Sequence, residues 1–231
     1  MIDNFFNQLR EAVIERRAAH LPGTVLIIVA VIGCTLVYIL LAMILIPYDV
    51  PRDYHFVSES GAITALSAIF LAAASAFSLA SMVALIRAKE PQQWVWFVLA
   101  LGFAFLSFDE LLQFHERAGR LLERFGSSGP FRNWNDIVVI LYGVVTLPIL
   151  ITMLPGLMRW RMVLEMFAIA FVFYGIHTFI DSTTEPPTSA SIILEESAKL
   201  LCGAFLLIGV FIGFVGVLWK NRMLDPTQND E

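Results

Sequence analysis

Six long apolar blocks limit what this chain can become. They cover residues 24–46, 62–86, 94–112, 137–153, 162–180 and 192–219. Each approaches the roughly 20 residues that cross a bilayer as a helix. A segment in hydrocarbon must satisfy every backbone N–H and C=O internally, and blocks without period-two alternation do so as helices. Only 15% of the 231 residues are charged while 58% are hydrophobic, against about 25% charged in soluble domains. The expected fold is all-α: a polytopic membrane bundle of six transmembrane helices over residues 21–220. No internal repeat or second domain interrupts it, and a short polar tail follows at 221–231.

Residues 1–20 have a different pattern. Ile2, Phe5, Phe6, Leu9, Val13 and Ile14 recur at helical spacing, with Asp3, Asn7, Arg10, Glu15 and Arg17 on the other side. That predicts a short amphipathic helix lying in the interface. The first apolar block is too long for a signal-peptide core and lacks a small-residue cleavage site. Cys34 and Cys202 sit inside apolar blocks and read as packing residues, with no disulfide framework. A net charge of −5, with no basic stripe interleaved with aromatics, excludes nucleic acid as an expected partner. Membrane lipids are the expected surroundings.

With the N-terminus inside, the inner segments hold nine Lys and Arg: Arg10, Arg16, Arg17, Arg87, Lys89, Arg159, Arg161, Lys220 and Arg222. The outer segments hold five: Arg52, Arg117, Arg120, Arg124 and Arg132. The positive-inside rule then predicts both termini in the cytoplasm of a bacterium, with the chain in its cytoplasmic membrane. The outer ends of blocks three and five and the outer start of block six now share one side. Asp49, Asp53, His55 and Glu59 join them from the first outer loop.

Those ends hold most of the unusual polar residues. Block three runs into Asp109-Glu110, with His115-Glu116 a turn later; block five closes with His177 and Asp181; block six opens with Glu195, Glu196 and Lys199. Ionisable groups at such positions are costly and mark a functional site by default. On a continuous helix Asp109, Gln113, Glu116 and Arg120 share a face and His115 points away, joining the site only if the helix is distorted. His177 and Asp181, four apart, can meet one proton or one metal. Lys199 falls between Glu195 and Glu196 in phase. The candidate catalytic carboxylates are Asp109, Glu110 and Glu116. The candidate metal ligands are His115, His177, Asp181, Glu195 and Glu196, a donor set suited to zinc, iron or manganese. A structural reading stands beside each: acids wetted at the membrane edge, a hydrogen-bonded histidine, and Glu195 and Glu196 favoured by a helix N-terminus capped by Ser191.

The run Phe-Leu-Ser-Phe-Asp109-Glu110-x4-His115-Glu116 with a late Glu195-Glu196 pair resembles uncharacterised bacterial multi-pass membrane proteins, a resemblance that brings no activity. Acids and histidines at one membrane face also loosely resemble the alkaline-ceramidase-like membrane hydrolases. The paired histidines of that family's last helix have no match here; the nearest pattern is His177-x3-Asp181, and no ligand set carries over. The leading expectation is a membrane-embedded enzyme, possibly metal-dependent, acting on a lipid or other apolar substrate from the outer side. One alternative is a proton- or cation-coupled transporter using Asp109, Glu110, His177 and Glu196 as a relay. Another is an accessory subunit, with haem between His115 and His177.

Overall fold

The computed structural model describes residues 2–18, 23–57, 61–90, 92–126, 134–160, 162–184 and 186–224. Among them the regular structure is helical: α1 (Ile2–Ala18), α2 (Thr24–Ile44), α3 (Tyr54–Val57), α4 (Ala62–Arg87), α5 (Gln93–Leu112), α6 (Phe114–Leu122), α7 (Trp134–Met158), α8 (Val163–Thr183) and α9 (Ser189–Leu224). Six of these are long and apolar enough to cross a membrane, namely α2, α4, α5, α7, α8 and α9. The multi-pass helical bundle expected from the apolar blocks is therefore present. The expected tail at 221–231 begins inside α9, which runs to Leu224, and residues 225–231 lie outside the described residues, as does Glu59.

α9 is the post of the bundle. In its apolar window 56% of residues are buried, against 11% in α7. α4 packs closely on both α5 and α9, and α8 packs along α9. Small residues make these approaches possible. A Cβ on Gly213 would collide with the Trp96 ring, and one on Gly209 would lie 2.8 Å from Phe167. The serines of α4 serve the same seam: Ser75 Oγ donates to the Ala100 carbonyl at 2.8 Å, and Ser107 Oγ of α5 donates back to Ala68 at 3.0 Å.

One end of the bundle is closed by large apolar groups. Trp96, Leu99 and Phe103 of α5 meet Met153 and Leu157 of α7, Phe167 of α8, and Val210 and Val217 of α9. Phe77 stacks edge-on against Phe211, with centroids 5.0 Å apart, and packs beside Phe214. α7 runs to Met158, past the expected end at 153, and Leu157 there is fully buried. α1 forms a helix and packs against α7. Cys34 does not pack inside the bundle; it is exposed on α2, in the surface that faces lipid.

At α9 the expected cap shifts. Thr188 is the N-terminal cap, its Oγ1 accepting the Ser191 N–H at 3.1 Å while Ser191 Oγ accepts the Thr188 N–H at 2.9 Å. Ser191 is thus the reciprocal partner, the role Glu or Gln takes in a capping box.

Overpacking distinguishes the seam glycines from the others. Gly213→Ala, against a Trp96 that is 1% exposed, is expected to cost about 1–3 kcal/mol. Gly175→Ala, with nothing within 4 Å, should stay within about 0.5 kcal/mol. Thermal unfolding of the two variants in detergent checks this; equal melting temperatures would contradict the close approach.

Candidate functional site at one end of the bundle

α5 ends abruptly, and the rest of the site follows from that. Gln113 adopts the left-handed conformation, φ 56° and ψ 47°, closing α5 and starting α6. The two helices are therefore separate, and the helical phase of Asp109 no longer predicts that of His115. The expectation that His115 points away from Asp109 is corrected: the backbone break is the distortion that brings them together. His115 donates its backbone N–H to Asp109 Oδ1 at 2.9 Å, and its ring Nδ1 lies 2.8 Å from Oδ2. The Tyr142 hydroxyl of α7 lies near the same carboxylate. Asp109 is buried, and the two His115 donors meet both its oxygens, as a buried carboxylate requires.

Glu116 leaves this group. It pairs with Arg120 at 3.0 Å along α6, on the half-exposed side. α6 itself is held against the start of α7, where Gly119 lets Asn135 approach so closely that any Cβ would collide with it.

Adjacent residues on a helix point about 100° apart, so Glu110 turns to a different neighbour from Asp109. Lys199 of α9 lies 3.1 Å from Glu110 Oε1 and 2.8 Å from Glu196 Oε2. Its expected partners were Glu195 and Glu196; the structure gives it Glu196 and, across the bundle, Glu110. The triad is largely buried, with side-chain exposures of 13% for both acids and 21% for the lysine. His177 of α8 turns toward α9, where its Nδ1 is 3.9 Å from Glu195 Oε1, too far for a hydrogen bond. Asp181 is near enough to Glu196 to act on its charge, and His115 near enough to act on His177.

Asp109, Glu110, His115, His177, Asp181, Glu195, Glu196 and Lys199 thus gather at one end of the bundle, as their shared depth predicts. Tyr142 was missed, because a tyrosine within an apolar block carries no signal of its partner. The loop residues do not join: His55 Nε2 lies 3.1 Å from the Leu45 carbonyl, and the Asp53 backbone carbonyl caps α3. Among the described residues no group of three or more His, Cys, Asp or Glu is arranged to hold a metal ion. The physical reason is visible in the pairings. Glu110 and Glu196 converge on an ammonium, and Asp109 is filled by His115.

A protein-family model described as a domain of unknown function, DUF8692, matches residues 21–213. No curated protein and no solved structure matches the chain.

Two measurements test these pairings. Burial works to lower the pKa of His115, but the hydrogen bond and charge of Asp109, helped by Glu116, outweigh it and hold the imidazole above its usual value. A raised folded value means the contact stabilises fully below about pH 6.5, the unfolded value. That contribution is then lost as pH rises through the higher folded value. Melting temperature of the wild type should fall over that window relative to His115→Gln, and parallel curves would contradict the pairing. Lys199→Met leaves two carboxylates facing each other and should cost about 3–5 kcal/mol. Adding Glu110→Gln and Glu196→Gln should recover most of it; a triple variant as unstable as the single one would remove the triad from the account.

Proposed function

The chain belongs to the DUF8692 family, and from its site we propose a membrane-embedded enzyme using general acid–base chemistry on a lipid or other apolar substrate. We place the site on the outer side of a bacterial cytoplasmic membrane, with both termini cytoplasmic, on the balance of nine inner against five outer Lys and Arg.

The observation that carries this reading is the Asp109–His115 pair. A carboxylate accepts only, so the Nδ1 beside it bears the ring proton and Nε2 of the neutral ring is left with a lone pair. An imidazole oriented this way can take a proton from water or a substrate hydroxyl and return it to a leaving group. The His115 backbone N–H fixes the carboxylate, and the carboxylate fixes the ring. The side chain of His115 is 25% exposed, reachable from the end of the bundle. Lys199 supplies a fixed positive charge at the same depth, able to offset negative charge that develops as a bond is attacked. No step requires a metal.

The one-sidedness of the polar groups supports an enzyme over a relay. A proton path should continue across the bilayer, yet Trp96, Phe103 and Phe167 fill the other half. Transport keeps one supporting observation, the buried Glu110–Lys199–Glu196 triad, whose charges could be exchanged during a cycle.

Lipids extracted from cells overproducing wild type, His115→Gln or Asp109→Asn, compared by mass spectrometry, test the proposal. Wild type is expected to deplete at least one lipid and accumulate its product. Either variant should slow this by about 10²–10⁴-fold, the usual size of an acid–base contribution. Identical profiles for wild type and His115→Gln would overturn it.

A further inference from the structure

We propose that a slot between α5 and α7 takes up one hydrocarbon chain of a lipid from the bilayer, bringing the polar end of that lipid to Asp109 and His115. The inference rests on the acid–base reading of this end of the bundle, and it names where the apolar part of the substrate lies.

α7 touches α5 at two levels. At the polar end the Tyr142 ring packs edge-on against Phe105, with centroids 5.5 Å apart, and Phe105 stacks on Phe114 of α6. At the other end a Cβ on Gly156 would lie 2.8 Å from Val95, and Met153 and Leu157 share a core with Trp96 and Leu99. Val95, Gly102 and Asp109 recur every seven residues, so they share one face of α5. The ends of that face approach α7, and its middle is open. Gly102 is exposed, and a Cβ there would meet nothing within 4 Å.

α7 shows the same gap from its own side. Residues 144–149 are all exposed. Six consecutive residues go more than once around a helix, so every side of this stretch is open, over a length of about 9 Å. Helical phase puts Thr146 and Ile149 on the side of α7 that carries Tyr142, Met153 and Gly156, the side turned to α5. Val144 and Leu147 point the opposite way. Pro148 lies in the same stretch, and its ring clashes with the carbonyl four residues before it, which lets a helix bow.

The walls and the ends of the slot limit what can fill it. Gly102, Phe105 and Ile149 give water no hydrogen bond, and the single hydroxyl of Thr146 is too little to hold one. An empty gap would forfeit dispersion contacts along both walls, so hydrocarbon enters. A helix from a second copy is about 10–12 Å across, too thick to lie between two helices that meet at both ends of the gap. A single acyl chain is thin enough, and the bilayer supplies it. The slot ends at Phe105 and Tyr142, one helical turn from Asp109, so the chain stops where the carboxylate and imidazole begin. Bilayer and slot are equally apolar, and selection among lipids therefore comes from fit along the walls.

The full-length chain in phospholipid vesicles, doped with phosphatidylglycerol carrying a diazirine at mid-chain, would be irradiated and its adducts mapped by mass spectrometry. Wild type should be labelled on both sides of the 144–149 stretch. Gly102→Phe puts a ring into the slot, where there is open space for it, and Gly102→Leu does so with less bulk. Melting temperatures are compared for both, so that a destabilised variant is set aside in favour of the other. Labelling of Thr146 and Ile149 should fall about tenfold, the scale of steric overpacking, while that of Val144 and Leu147 stays. An equal fall on both sides, or no fall in a folded variant, would overturn the proposal. So would a wild type unlabelled at Thr146 and Ile149, since protein would then cover them. Lipid profiles separate this inference from the acid–base reading. His115→Gln should stop conversion and keep the labelling. Conversion that Gly102→Phe leaves unchanged would overturn the slot and spare the acid–base reading; labelling confined by Gly102 in a protein that converts no lipid would do the reverse.

Discussion

A charge taken out of water must be met by another charge, and that requirement organises this protein. Lys199 sits in a segment otherwise apolar enough to cross a bilayer, and its ammonium is held by acids from two helices. α4 packs on both α5 and α9, and the long side chains of Glu110 and Lys199 close the distance that remains between those two spans. Ion pairs of this kind contribute little net stability over an apolar replacement, since desolvation consumes most of the attraction. They are specific instead: any other rotation of α5 or α9 would strand a charge in hydrocarbon. The triad fixes the helices, and the fixed helices set the distance from Asp109 to everything else.

The bundle was legible in the sequence because length and hydropathy alone decide it. The shared end of the polar residues was legible too, since depth follows from counting along each apolar block. What could not be read was partnership. Glu110 meets Lys199 across the bundle, a pairing that no spacing within one helix encodes. His115 was misplaced for a more particular reason. Phase reckoning assumes a continuous helix, and Gln113 is not a glycine, the residue that announces a left-handed turn. The faint signal was a change of pattern, from the apolar run ending at Leu112 to the charged, amphipathic run that begins at Phe114. Asn135 acquires a role only because α6 lies against α7, and Tyr142 only because α7 meets the end of α5.

The two halves of the bundle are chemically unlike. One is a close-packed aromatic and aliphatic core around Trp96 and Phe167, where even a glycine Cβ is too much. The other is a set of paired charges and hydrogen bonds. Rigid packing beneath and directional bonds above together hold the polar groups in register.

α7 stands apart from the other spans. It is the span least buried by protein, it carries Pro148 and Pro155, and near the site its Tyr142 lies beside Asp109 and its Val139 carbonyl accepts from the Tyr174 hydroxyl at 2.9 Å. A helix held mainly by lipid adjusts its tilt to the thickness of the bilayer, whereas the post formed by α9 is held by its neighbours. Tyr142, packed edge-on against Phe105 of α5 with ring centroids 5.5 Å apart, is where a shift of α7 would first be felt at the polar end of the bundle.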